Sequence, residues 1–464
     1  MVCDLMGVKE LSLSLGARLV SSSPNSQFSS VAIDSRNVTE GCLFFALEGS
    51  VCDGHMFVKD AFASGARAAV VEESRLESFD LVNAAKNARK ELIIVEDTLK
   101  GLQDSAGIYL KKFPKLLRVG ITGSTGKTTT KEITAAIFAR EKNTVMNMGN
   151  LNSVTGLPIS VFNVRPSHEV GIFELGANHK GEISTLASVF KPNIALITNI
   201  GLAHIENFGT KDEIVNEKKC IFNDMTENDV ALIPKDDEYA QTLSLGVTGK
   251  IKFYGNDLFG ELEGTRSLGL EGSEILWAGE KIHFALPGGH NLKNAIAAIA
   301  IAKEVSVSND AIKQGLESVK PLFGRSEILR GYATVIRDCY NANPESTEKS
   351  IEFCDSLDWK GRRVYVIADM LELGEMSFAS HTKLGGILEK SKAQKVFLFG
   401  SEIKAAADYM KGKHKDFFFT DDIEKLSASL ESFLETGDLV LLKGSRGCAL
   451  ERLTDMLLGV HNVS

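Results

Sequence analysis

Three things are scarce in this chain of 464 residues, and each scarcity excludes something. No stretch reaches the roughly 18 consecutive apolar residues that a membrane-crossing helix needs. Asp4, Glu10 and scattered polar residues break up the start of the chain, so it does not read as a secretion signal. Basic charge is not in excess: 52 Lys and Arg against 61 Asp and Glu give a net charge of −9. That speaks against a nucleic-acid binder working through a broad basic surface, but not against a small anionic substrate held by a few cations and N–H groups. Cysteine is sparse and unpaired in pattern. The seven Cys, at 3, 42, 52, 220, 339, 354 and 448, are odd in number and include no C-x-x-C, as expected of reduced, mostly buried thiols. The expected compartment is therefore the cytoplasm. Solenoid repeats and low-complexity tails are also missing.

What is present is a globular composition, 44% hydrophobic and 24% charged, on a chain long enough for two to four domains. By texture it divides into units 1–94, 95–321 and 322–464. The first reads as a small α/β unit, with strands at Ser30–Asp34, Cys42–Leu47 and Ala68–Glu72, a helix near Met56–Ser64 and a polar linker over Asn83–Lys90. A strand at Leu92–Val95 and a helix at Leu99–Lys112 lead onward. In the second unit Leu117–Thr122, Val170–Glu174 and Ile194–Thr198 are near-continuous apolar runs, the pattern of a parallel sheet buried on both faces. Ile251–Tyr254, Glu274–Ala278 and Lys281–Leu286 read as antiparallel strands, the last two joined by a tight turn at Ala278-Gly279-Glu280. In the third unit Thr334–Asp338, Val364–Ala368, Lys395–Phe399, Phe417–Thr420 and Leu439–Leu442 alternate with helical stretches and predict a second parallel, doubly wound sheet.

The stretch Leu117 to Thr130 carries the strongest chemical signal. An apolar strand stops at Gly123-Ser124-Thr125-Gly126, Lys127-Thr128-Thr129 follows, and Ile133 and Ile137 then mark a helix face. Backbone N–H groups and a helix N-terminus in that order form a phosphate cradle. Lys127 would neutralise phosphate charge and Thr128 would reach Mg²⁺. The spacing departs from the usual form, with Ile121 standing where a Gly is expected.

Other residues gain weight from their places. Glu174 ends a buried strand beside this loop and suits Mg²⁺; a solvated strand end is the plain alternative. His204 follows another strand's carboxyl end and reads either as a catalytic or metal residue or as an ordinary polar one. On a helix over Lys211–Phe222, the apolar stripe Ile214, Val215, Ile221 and Phe222 centres on Lys218. A Lys aimed at a core is costly unless partnered or chemically changed, although it could also snorkel outward. Asn291 and Asn294 suit a base edge or a helix cap. Asp338, ending a strand, suits ribose hydroxyls, and Arg325 suits a phosphate.

Together the segments resemble the Mur ligases, the ATP-dependent amide-bond ligases of peptidoglycan precursor synthesis. The resemblance rests on Asp34-Ser-Arg36, Gly41–Gly49, Asp53-Gly-His55, Thr122–Thr129, Gly149–Pro158, Glu174–Asn178, Ala203–Glu206, Asp338–Pro344, Asp369–Gly374 with His381, and Lys443–Arg446, in that order along nearly the whole chain. It implies an α/β fold of three domains: a small N-terminal domain for the UDP-sugar substrate, a central phosphate-loop domain for ATP, and a Rossmann-like C-terminal domain. The branch it resembles most joins D-alanyl-D-alanine to UDP-N-acetylmuramoyl-tripeptide through an acyl phosphate. It further implies that Gly123 to Thr129 and Arg325 hold the ATP phosphates, that Asn291 contacts adenine and that Asp338 contacts ribose. Thr128 and Glu174 would bind one Mg²⁺, and His204 with a CO₂-carbamylated Lys218 a second. Ser35, Arg36, Asn150 and Asn152 would meet the nucleotide sugar, and Asn341, Asn343 and the Lys443–Arg446 segment the dipeptide. The expected state is a monomer. Two departures from the family pattern are Lys219-Cys220 after Lys218, where Gly-Glu is common, and Ser153 after Asn152. The Asp338–Pro344 and Asp369–Gly374 segments argue against two rivals in the same superfamily, a folylpolyglutamate synthase and a ligase adding the third amino acid. A nucleotide-binding switch or kinase would need neither Lys218 nor the first unit.

Overall fold

A computed structural model describes residues 4–20, 25–255 and 260–459; Cys3 lies outside them. The architecture is α/β in three parts, each built on its own sheet. The first sheet has five strands in the order Arg18–Val20, Glu91–Val95, Ala68–Glu72, Cys42–Phe45, Ser30–Ala32. All neighbours are parallel except the Arg18–Val20 edge. Glu91–Val95 thus belongs to this first sheet. The helix after it, Thr98–Leu110, packs on this sheet and also on the central helices Gly156–Val161 and Glu182–Phe190, joining the two units.

The expected linker over Asn83–Lys90 is instead mostly helix, Leu81–Ala88, ended by Arg89 in the left-handed region (φ 55°). Leu81 and Ala85, one turn apart, are buried and face the helix Val58–Ala63. Leu81 lies just outside the polar stretch, so the amphipathic pattern is cut when the segment is read from Asn83.

The central sheet has six parallel strands in the order Lys250–Tyr254, Val230–Pro234, Ile194–Ile197, Leu117–Thr122, Val170–Glu174, Thr144–Met146. The sequence pattern over Ile251–Tyr254 predicts an antiparallel strand; the strand observed is Lys250–Tyr254. It is a parallel edge strand, because the helix Ala240–Ser244 carries the chain over from Val230–Pro234. Only Tyr254 of this strand is buried, as suits an edge, and its hydroxyl donates to the Ile197 carbonyl at 2.8 Å. The antiparallel sheet has Leu262–Ser267, Ser273–Trp277 and Glu280–Phe284 instead. Its turn has Ala278 (φ 50°) and Gly279 (φ 79°) both left-handed, as a two-residue hairpin turn requires.

The third sheet runs Glu327–Arg330, Thr334–Asp338, Leu439–Lys443, Arg363–Ala368, Lys395–Phe399, Phe417–Thr420, parallel apart from its first strand. Of the polar residues at the strands' carboxyl ends, Glu174 meets Thr128 and Asp338 meets Lys443, while Thr122 turns inward onto the Leu175 carbonyl.

Behind the phosphate loop, the helix Lys127–Phe138 packs against Gly289–Glu304 and Asn309–Ser318. The last of these approaches closely at Gly315. A Cβ there would lie 2.8 Å from the Ile137 backbone nitrogen and closer still to its Cα. Gly315→Ala would ordinarily stabilise a helix by about 1 kcal/mol. Here it is expected to destabilise by about 1–3 kcal/mol through overpacking, read as a lowered thermal unfolding midpoint.

Candidate active site

The phosphate loop is built by local backbone demands. Ile121 is fully buried in the sheet, which accounts for an apolar residue at that position. Gly123 has φ 143° and Gly126 φ 78°, both in the region that favours glycine. A Cβ on Gly123 would fall on the Thr198 hydroxyl and 3.0 Å from the Thr198 nitrogen. The loop after Ile194–Ile197 braces it: Thr198 Oγ1 donates to Thr125 O (2.6 Å), Asn199 Oδ1 accepts from Thr125 N (2.9 Å), and Ser124 Oγ both donates to Gly201 O and accepts from Gly201 N. Lys127 Nζ folds back onto the Gly123 and Ser124 carbonyls at 2.8 and 3.3 Å. Burial depresses its pKa; Glu174 opposes that shift and Arg325 adds to it. An ammonium so placed gains from an arriving anion.

Glu174 is 2% exposed and pinned from three sides. Its Oε2 accepts from Thr128 Oγ1 (2.7 Å) and its Oε1 from Asn152 Nδ2 (2.6 Å). Asn147 accepts from the Glu174 N–H and donates to its carbonyl. Fully buried Lys131 in turn donates to the Asn147 carbonyl at 2.6 Å. Asn147 and Lys131 escaped sequence reading. Asn147 follows the three-residue strand Thr144–Met146, too short to register as one, and Lys131 has Lys127, Thr128, Thr134 and Ala135 at i±3 and i±4, which give no apolar stripe to mark its burial.

Lys218 is 1% exposed on the helix Lys211–Lys219, which tightens into a 3₁₀ turn at Cys220–Phe222 rather than running on to Phe222. Ile214, Val215, Ile221 and Phe222 are buried around it. Its Nζ lies 5.6 Å from the Phe208 ring centre, and no hydrogen bond or ion pair reaches it among the described residues. Burial, then the nearby Lys127 charge, pull its pKa down to about 7. The neighbouring Glu217 accepts from Gly181 N and Ile183 N, both at 2.7 Å, and so caps the helix Glu182–Phe190.

The third unit reaches in at several points. Arg325 Nη2 donates to Thr128 Oγ1 (3.1 Å) while its guanidinium stacks 4.2 Å from the Tyr340 ring centre. Glu345 Oε1 accepts from Leu202 N at 3.1 Å, and His290 Nε2 lies 3.1 Å from Ser326 Oγ. His204, left-handed at φ 59°, has Nδ1 2.6 Å from Glu372 Oε2. Glu345 and Glu372 carried no functional signal of their own in the sequence, although both lie in or beside quoted motifs. What singles them out is contact with the central unit.

The remaining candidates have other surroundings. Asn291 Nδ2 donates to Pro287 O (2.8 Å), and Asn294 packs under Gly126; neither caps the helix Gly289–Glu304. Asp338 accepts from Ser326 N, Ser350 Oγ and Lys443 Nζ (3.0, 2.6 and 2.9 Å). Asn343 Oδ1 caps the helix Pro344–Ser356 through Ser346 N, while Asn341 is exposed. Ser35 and the exposed Arg36 lie at an outer edge of the first sheet, with the Arg36 guanidinium on Asp34 at 2.7 Å. Asn150 is exposed. Lys443 is a buried partner of Asp338, and Arg446 pairs with Glu451.

Family models agree with this layout. The Mur ligase middle domain matches residues 121–302, the Mur ligase glutamate ligase domain 324–446, and the Mur ligase family catalytic domain 27–108. The UDP-N-acetylmuramoyl-tripeptide–D-alanyl-D-alanine ligase of Treponema pallidum (strain Nichols) is 41% identical over 444 residues, covering 95% of this chain and 96% of its own. The chain belongs to the Mur ligase family.

Other Mur ligases extend the likeness. The Escherichia coli (strain K12) ligase of the same name is 33% identical over 438 residues, 92% of this chain and 93% of its own. A crystal structure of MurF from Acinetobacter baumannii superposes with a TM-score of 0.87 at 27% identity, covering 99% of this chain and all of that one. MurF ligase from Thermotoga maritima in complex with ADP gives 0.79 at 28% identity, over 93% and 97% of the two chains. No helix of the described residues is long and apolar enough to cross a membrane.

The Asp338–Lys443 pair gives a direct test. Burial pushes the Asp338 carboxyl up, but Lys443 and the Ser350 hydroxyl outweigh it and hold the group below its usual value. A depressed carboxylate contributes stability that is present above about pH 4 and lost as pH falls through the folded value. Asp338→Asn is expected to cost about 3–5 kcal/mol at neutral pH by leaving Lys443 buried and unpaired. Urea unfolding from pH 7 to 3 should show the wild-type protein losing this advantage on acidification, with no corresponding loss in the variant.

Proposed function

We propose that this chain joins D-alanyl-D-alanine to UDP-N-acetylmuramoyl-tripeptide at the expense of ATP, through an acyl phosphate, in cytoplasmic peptidoglycan precursor synthesis. The likeness along the whole chain to ligases of that name supports the substrates. The phosphoryl-transfer part rests on one observation: Glu174 from the central unit and Arg325 from the third unit meet on the same Thr128 hydroxyl of the phosphate loop.

In this reading the units 1–94, 95–321 and 322–464 hold the nucleotide sugar, ATP and the closing C-terminal face. Gly123, Ser124, Thr125, Gly126, Lys127, Thr128 and Thr129 cradle the phosphates, with Asn291 toward adenine and Asp338 toward ribose. Ser35, Arg36, Asn150 and Asn152 serve the nucleotide sugar. Asn341 faces the dipeptide, and Asn343 shapes that turn by capping its helix. The working unit in this reading is a monomer.

The donor set suits Mg²⁺. The Thr128 hydroxyl and the Glu174 carboxylate lie together beside the cradle, and oxygen donors are what this cation takes. They would hold one ion, and His204 with carbamylated Lys218 a second. Bound there, the ions would neutralise charge on the transferring phosphoryl group. Lys127 and Arg325 hold the γ-phosphate in line with the tripeptide carboxylate, whose oxygen attacks phosphorus while ADP leaves. The dipeptide amine then attacks the acyl carbon, and phosphate departs from the tetrahedral intermediate. The fixed cations stabilise charge on the oxygens at both steps without reorganising. With a pKa near 7, Lys218 is largely a neutral amine just above neutrality, the form that adds to CO₂.

Phosphate release with ATP and UDP-N-acetylmuramoyl-tripeptide is expected only when D-alanyl-D-alanine is added, with a product mass equal to both peptides joined less water. Release with folate and glutamate, or phosphate transfer with no amide product, would overturn the reading. Lys218→Ala is expected to lower kcat by at least about 10²-fold, with partial rescue by short carboxylic acids. Full activity of that variant would remove the carbamate from the mechanism.

A further inference from the structure

We infer that Glu372, from the third unit, is a positioning residue for His204: its carboxylate sets which imidazole nitrogen carries the proton and leaves the other for the metal. The inference rests on the reading of His204 as a metal ligand.

The observations are geometric. His204 Nδ1 lies 2.6 Å from Glu372 Oε2, and no hydrogen bond is made to Nε2 among the described residues. The two residues come from different units, yet each adopts the left-handed conformation that non-glycine residues seldom take, His204 at φ 59° and Glu372 at φ 66°. The turn bearing Glu372 is docked by its backbone. Its carbonyl accepts from Glu206 N at 3.2 Å, and Gly374 (φ 52°) comes so near that a Cβ there would lie 3.1 Å from the Glu206 Cβ. The carboxylate therefore arrives from a seat that does not depend on its own side-chain contact. Glu206 and Glu375 line the same groove, of about 660 Å³, but Glu372 is the carboxylate that touches the imidazole. Nδ1 is buried with no other polar partner among the described residues, so Glu372 Oε2, although off the line of the ring N–H, is the group placed to receive its proton.

A histidine that ligates through one nitrogen is oriented and made more basic by a carboxylate on the other. Here that carboxylate is supplied by the unit that also brings Arg325 to Thr128. Docking of the third unit would thus complete the metal ligand as well as the phosphate contact.

The test uses Mn²⁺ as the probe, titrated into the full-length enzyme with ADP and followed by the electron paramagnetic resonance of free Mn²⁺. Glu372→Ala is expected to weaken the site that depends on His204 by about 10-fold or more, and Glu372→Gln by less. Glu375→Ala, in the same groove but off the imidazole, should leave it unchanged. The double variant His204→Ala/Glu372→Ala should bind no more weakly than His204→Ala alone, because Glu372 acts through the imidazole. Wild-type affinity in Glu372→Ala, or losses that add in the double variant, would overturn the inference and point to docking alone. If His204→Ala itself leaves Mn²⁺ binding unchanged, the metal reading of His204 falls and this inference with it. If His204→Ala weakens binding and Glu372→Ala does not, only this inference falls.

Discussion

The Glu174 carboxylate is held at the end of a fully buried strand, with Thr128 and Asn152 on its two oxygens and Asn147 bonded to its backbone on both sides. Burying a carboxylate is costly unless its lone pairs are met, and here Thr128 comes from the start of the helix Lys127–Phe138 while Asn147 and Asn152 come from the loop after Thr144–Met146. The phosphate loop, the loop after Thr144–Met146 and the helix Lys127–Phe138 are thereby tied to one strand end. Arg325 adds the third unit, because it shares the Thr128 hydroxyl.

Around that point the site gathers cations. Lys218 is buried and Lys127 half-buried, and desolvation depresses both; the Lys127 charge lowers Lys218 further, and Arg325 adds to the lowering of Lys127. Such an arrangement is unfavourable in isolation. It becomes favourable when triphosphate oxygens arrive beside Lys127, and when Lys218 loses its charge or exchanges it for a carbamate. The polar ledger of the site is thus written for its ligands, which is the usual reason a folded protein tolerates like charges in its interior. By contrast Asp338 and Lys443 neutralise each other and give the third unit a rigid edge from which Arg325 and Tyr340 project.

Much of the fold was legible because buried parallel strands read as apolar runs. Leu117–Thr122, Val170–Glu174 and Lys395–Phe399 stand where the runs fall. Thr144–Met146 and Leu262–Ser267 give no such run, being short or mostly exposed, and Ile251–Tyr254 reads as antiparallel when its parallel neighbour Val230–Pro234 is left out of account. Misreading the segment 83–90 as a linker has the same origin, since its helix is anchored by Leu81 just outside it.

The chain order alone carries the phosphate loop, the buried place of Lys218 and the polar strand ends, since each follows from local periodicity and from which residues can leave water. Other features need distant segments to meet. Asn147 clamps Glu174 across 27 positions of chain, and Arg325 reaches Thr128 across 197. The Glu372 contact with His204 likewise joins two units. Polar residues carry no periodic signature of their own, and a hydrogen bond acts only within about 3 Å, so these partnerships exist only once the sheets have packed.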